Sequence, residues 1–119
     1  MNKFIVDEKE AFYNFKKIMY SWDIDNVLAS QKLMDSFFER LIYSGWNRER
    51  IYNFTFLYIK NNLSDLDYNE IYEAAFDYLG DIESSIIGHC SYDSFLMFPD
   101  EPQNKDELIA YVRGEKWKS

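Results

Sequence analysis

From Asn61 to Asn104 the chain holds ten aspartates and glutamates and not one lysine or arginine. Whatever fold forms must leave those carboxylates in water or cover them with cations from elsewhere in the chain, because an unpaired buried charge is prohibitively costly. Residues 1–60 carry eight acids and nine bases, whereas residues 61–112 carry twelve acids against Lys105 alone. The formal net charge of -8 therefore falls almost wholly on the C-terminal half. Charge of one sign repels itself in a compact state and draws in a positively charged partner. Ordinary surfaces intersperse both signs, so a merely solvated acidic face is not a full account.

Hydrophobic spacing predicts an all-α, single-domain bundle of about five helices over residues 1–119, with a short irregular segment near residues 88–103. The first helix is expected from Asp7 to Trp22, where Asp7 and Glu10 form a capping box and Phe12, Phe15, Ile18, Met19 and Trp22 share a face. The second is expected from Asp23 or Asp25 to a Gly45 cap, with Ile24, Val27, Leu28, Met34, Phe37, Phe38, Leu41 and Ile42 as its apolar stripe. Residues 47–63 contain IYNFTFLYI, which suits a strand as well as a helix; the Asn47 cap and the flanking NRERI and IKNNL favour a buried central helix. A fourth helix is expected to open at Ser64, with Glu70, Glu73, Asp77 and Asp81 as an acidic stripe opposite its apolar face, unless Gly80 breaks it. A last short helix should start at Asn104 and stop at Gly114.

Several kinds of chemistry are poorly served. No apolar run approaches the roughly 18 residues of a membrane span, and the stretch before Asp7 is too short for a signal peptide, so a cytoplasmic setting is expected. Cys90 is the single cysteine and His89, its neighbour, the single histidine. Adjacent side chains in extended chain point apart, which disfavours a catalytic dyad. Asp65, Asp67 and Asn69 begin like a calcium loop, but Glu70 and Phe76 stand where glycine and glutamate are required. The four glycines are scattered, so there is no phosphate loop, and no cofactor is expected. Direct nucleic-acid binding needs a basic footprint that the chain lacks. The expectation is a binding protein and not an enzyme.

The stretch SYDSFLMFPDEP, Ser91 to Pro102, sets four large apolar residues among acids. Such a run commonly plugs a core. Flanked by carboxylates it also has the anatomy of a binding hot spot, with apolar knobs at the centre and charge around them.

Taken from His89 to Pro99 and followed by acids and a short helix, this region resembles the colicin-type nuclease immunity proteins, and in style those of contact-dependent growth inhibition systems. Their pattern is a Ser-Asp-Leu-Ile-Tyr-Tyr-Pro run preceded by a histidine, in which the tyrosines and the aspartate contact the nuclease. Phe95 and Leu96 fall on the Leu and Ile positions, Met97 and Phe98 on the tyrosines, and Pro99 on the proline. Ser94 stands where the family has aspartate, with Asp93 one place early. The resemblance implies an inhibitor of a basic protein toxin such as a nuclease. Composition and resemblance together single out Glu70, Glu73, Asp77, Asp81, Asp93, Asp100 and Glu101 for charge complementarity, with Tyr92, Phe95 and Phe98 as aromatic anchors. The alternative is a nucleic-acid mimic that blocks a DNA- or RNA-handling protein of the anti-restriction or anti-CRISPR type, for which carboxylates should track over a longer distance.

Overall fold

A computed structural model describes residues 4–67 and 71–118. It is all-helical, with no strand among the described residues. Helix α1 spans Glu8–Tyr20 and is capped by Asp7, whose carboxylate accepts the Glu10 N–H at 2.8 Å. Its buried face is Ala11, Phe12, Phe15 and Met19, a spacing that keeps one side of a 3.6-residue helix in the core. Helix α2 spans Val27–Tyr43, starting later than expected because Asn26, not Asp23 or Asp25, supplies the cap. The early members of the expected stripe, Ile24, Val27 and Leu28, consequently lie exposed, while Met34, Phe37, Phe38 and Leu41 are buried.

The C-terminus of α2 ends as Gly45 foretells. Gly45 takes φ +96°, its N–H bonds to the Ile42 carbonyl, and the Trp46 N–H reaches back to Leu41 at 3.1 Å. This double return is a Schellman motif, which satisfies carbonyls the helix cannot. Trp46 then donates its indole N–H to the Ile5 carbonyl at 2.8 Å, and the Ile5 N–H donates to Ser44 Oγ at 2.9 Å. The N-terminal segment is thereby strapped across the corner.

Residues 47–61 are helical, not a strand. Asn47 caps Arg48–Asn53, a π turn follows at Phe54–Tyr58, and Ile59–Asn61 completes this composite helix, α3. Its buried side chains include Arg48, Ile51, Phe54, Thr55 and Ile59. Phe54 meets Phe15 edge-on at 6.5 Å and Trp46 edge-on at 5.8 Å, so one ring joins three elements.

Helix α4 spans Glu73–Ile87 and does not open at Ser64. Leu63–Asp65 form a single 3₁₀ turn and Leu66 is extended, so no α-helix opens at Ser64. Gly80 sits inside α4 without breaking it, since apolar contacts of Ala75, Leu79, Ile82 and Ile86 hold both halves to the core. The irregular segment expected near residues 88–103 is present, with one 3₁₀ turn at Tyr92–Ser94. Helix α5 spans Lys105–Arg113, capped by Asn104, which accepts the Glu107 N–H at 3.1 Å. Helix α1 packs on α2, α3 on α4, and α4 on α5. Among the described residues, no helix is long and apolar enough to cross a membrane.

Candidate functional site

Glu73, Asp77 and Asp81 recur every four residues on α4, and all three are exposed. Each step turns the helix by about 40° and advances it by about 6 Å, so the carboxylates form a gently spiralling stripe. None has an ion-pair partner among the described residues. Glu70, the fourth member of the expected stripe, lies outside the described residues.

The stripe borders a groove of about 500 Å³ between α2, the C-terminal half of α4 and the loop that follows. Asp35 and Asp81 line it together with Tyr78, His89, Cys90 and Ser94. The Tyr78 hydroxyl donates to Asp35 Oδ1 at 2.6 Å, tying α4 to α2 across the groove. Burial, the bond to Asp35 and the charges of Asp35 and Asp81 all push the Tyr78 phenol well above its ordinary range. No lysine or arginine lines this groove. The Cys90 thiol donates to the Ser84 carbonyl at 3.6 Å, which occupies it with α4's last turn. Among the described residues, no three His, Cys, Asp or Glu side chains converge as a cation site.

The irregular segment is where sequence and structure part. Phe95 and Phe98 are buried, so neither is a surface anchor: Phe95 packs with Leu108 and Val112 of α5, and Phe98 joins the main core. Glu101 is buried as well and faces inward, against the expectation of charge complementarity. Its carboxylate meets the Arg48 guanidinium at 3.0 Å. Arg48 is only 1% exposed, and every donor it has is used. One terminal nitrogen bonds the Ser85 and Ile86 carbonyls, at 3.3 and 2.7 Å, and the other bonds Glu101 and the Leu96 carbonyl. The guanidinium also lies 4.6 Å from the Phe98 ring centre. A cation at the C-terminal end of α4 suits that helix's exposed carbonyls and dipole. The carboxylate that the sequence leaves uncompensated is here neutralised by a base 53 positions away.

Asp93 and Asp100 remain exposed and without an ion-pair partner among the described residues. Tyr92 is half-buried, with Lys105 over its ring at 5.2 Å. Arg113 lies over Phe95 and donates to the Gly88 and Cys90 carbonyls, so α5 spends two of its cations on its own loop. The exposed apolar residue of the motif is Met97, at 50%.

Sequence reasoning missed Asp35. It lies in the mixed-charge half with no local pattern to mark it, and only the pairing of α2 with α4 brings it beside Asp81. Leu28 was placed in the core, yet it is 63% exposed and shares a helix face with Asp35 seven residues on. The structure thus brings Asp35, Tyr78 and Asp81 together, carries Glu73 and Asp77 outward from them, and sends Phe95, Phe98 and Glu101 inside. No family model, no curated protein and no solved structure matches the chain.

Proposed function

We propose that this chain is a non-enzymatic inhibitor of the immunity type, which binds a basic protein toxin such as a nuclease through α4's acidic stripe and the adjoining groove. The observation that carries the reading is the exposed row Glu73, Asp77 and Asp81, without an ion-pair partner among the described residues, beside a groove lined by Asp35 and by no lysine or arginine. Such a surface raises the encounter rate with a cationic partner and accepts a lysine or arginine side chain between Asp35 and Asp81. Exposed Leu28, on the helix face of Asp35, and exposed Met97, next to groove-lining Leu96, supply apolar contact. Arg48 covers Glu101 alone, which leaves the row's potential intact.

The nucleic-acid mimic is the weaker reading. Glu73 to Asp81 covers about 12 Å of helix, the length of three or four phosphates along one strand, and a mimic needs a longer track.

The deciding experiment is affinity capture from native cells with the wild-type chain and with the Glu73→Lys/Asp77→Lys variant, followed by co-expression with the captured protein. The reading expects a protein with a basic domain that is toxic alone, harmless beside the wild-type chain, and bound with a slower, less salt-sensitive association by the variant. Capture that is indifferent to the two reversals, or a captured protein whose activity the chain leaves untouched, refutes it.

A further inference from the structure

The π turn at Phe54–Tyr58 is closed by the Ile59 N–H donating to the Phe54 carbonyl five residues back. Turns of this kind are rare within α-helices and recur at functional sites. This one walls a cavity of about 140 Å³, lined by Thr55, Ile59, Leu63, Phe76 and Leu79. Exposed Lys60 and half-buried Glu83 complete the lining. Thr55 is 1% exposed, and its hydroxyl finds no hydrogen-bond partner. A helical threonine ordinarily bonds a carbonyl three or four residues back, and at the π turn that bond is not made. The pocket is half open at Lys60, but the Thr55 hydroxyl is buried, and a buried hydroxyl without a partner costs stability and is rare in natural cores.

A molecule that enters the pocket and bonds the hydroxyl relieves that cost. We infer that this cavity is a binding site for a small monocyclic compound bearing one hydroxyl group, a phenol-type ligand. Size supports it, since an apolar cavity of about 150 Å³ accommodates benzene. The aliphatic and aromatic walls suit a ring. Threonine in a helix divides between two χ1 rotamers, so Thr55 can turn its oxygen toward a ligand at little cost. Burial pushes the Glu83 carboxyl above its ordinary range against the pull of Lys60, which marks a second polar group short of solvation on the same wall. The site is separate from the acidic groove and independent of what that groove binds.

The test titrates phenol and benzene separately into the full chain, following backbone amide shifts by NMR. The inference expects phenol to bind and to shift the amides of Thr55, Ile59 and Leu79 first. The isosteric Thr55→Val variant, its fold checked by circular dichroism, should weaken phenol about three- to tenfold and leave benzene unaffected or tighter. Equal loss for both ligands, shifts that map elsewhere, or no binding of phenol by the wild-type chain at millimolar concentration would each overturn it. Should Thr55→Val not fold, the comparison of phenol with benzene on the wild-type chain decides: phenol must bind more tightly by the same factor.

Discussion

Arg48 and Glu101 meet as a buried ion pair at 3.0 Å, and through it the first turn of α3 holds the end of α4 and the loop that follows. The pair is an obligation more than a source of stability. Desolvating two charges roughly offsets their attraction, but losing one partner strands the other.

Replacing Arg48 by Met should therefore cost about 3–5 kcal/mol, because Glu101 is left charged in the core and the Ile86 and Leu96 carbonyls lose their donor. Arg48→Lys should recover only part, since a lysine cannot supply the planar fork of five donors. The double variant Arg48→Met/Glu101→Leu should be more stable than Arg48→Met alone. Urea denaturation followed by circular dichroism measures all three, and a loss below about 1 kcal/mol for Arg48→Met would show that the pair is dispensable.

Two glycines of α4 should respond in opposite directions. Gly80 is helical and open, with nothing within 4 Å of an added Cβ, so Gly80→Ala should stabilise by about 0.5–1 kcal/mol. Gly88 has φ +80°, and a Cβ there would stand 2.9 Å from Val112 Cγ1. Gly88→Ala should cost about 1–3 kcal/mol from the left-handed backbone alone, with the clash against α5 adding to it. Thermal melts of the two variants against the wild-type chain make the comparison.

The Tyr78 phenol should resist ionisation. Burial and Asp35 favour its neutral form, so the folded state keeps a proton that the unfolded chain releases above about pH 10. Stability contributed by this group is then complete below that pH and is lost as pH rises beyond it. Ultraviolet titration of Tyr78→Phe should match the wild-type curve up to about pH 11 and fall short by one tyrosine only in the alkaline unfolding step. A missing tyrosine in the ordinary range near pH 10 would contradict the groove geometry.

Where a local device decides the structure, the sequence was readable. Asp7, Asn47 and Asn104 cap the helices assigned to them, and Gly45 closes α2, because each acts on backbone groups within a few residues. Ser64 was expected to open a helix and does not: a single 3₁₀ turn forms there and the helix runs from Glu73, where Ala75, Leu79, Ile82 and Ile86 give it a continuous buried face. Ile24, Val27 and Leu28 fit a helical period yet lie outside, because the Asn26 cap leaves Ile24 ahead of the helix and the buried residue of α2's first turn is Ser30. Phe95 and Phe98 form the core plug that such an apolar run commonly makes, whereas Glu101 was unreadable for a different reason. Its burial depends on Arg48, and no pattern within the motif encodes a partner 53 positions away. The acidic stripe was legible as a row of exposed carboxylates, whereas its approach to Asp35 depends on the tertiary bond from Tyr78 across the groove.

The way Arg48 and Ser85 hold the loop after α4 has one more consequence. They grip the main chain at Leu96, through its carbonyl and its N–H, and Phe95 and Phe98 anchor it inward. Exposed Met97, between these fixings, and exposed Asp93, just ahead of them, carry no duty in holding the molecule together. Both positions can be substituted while the scaffold beneath them stays put, which gives a rigid domain a rewritable tip.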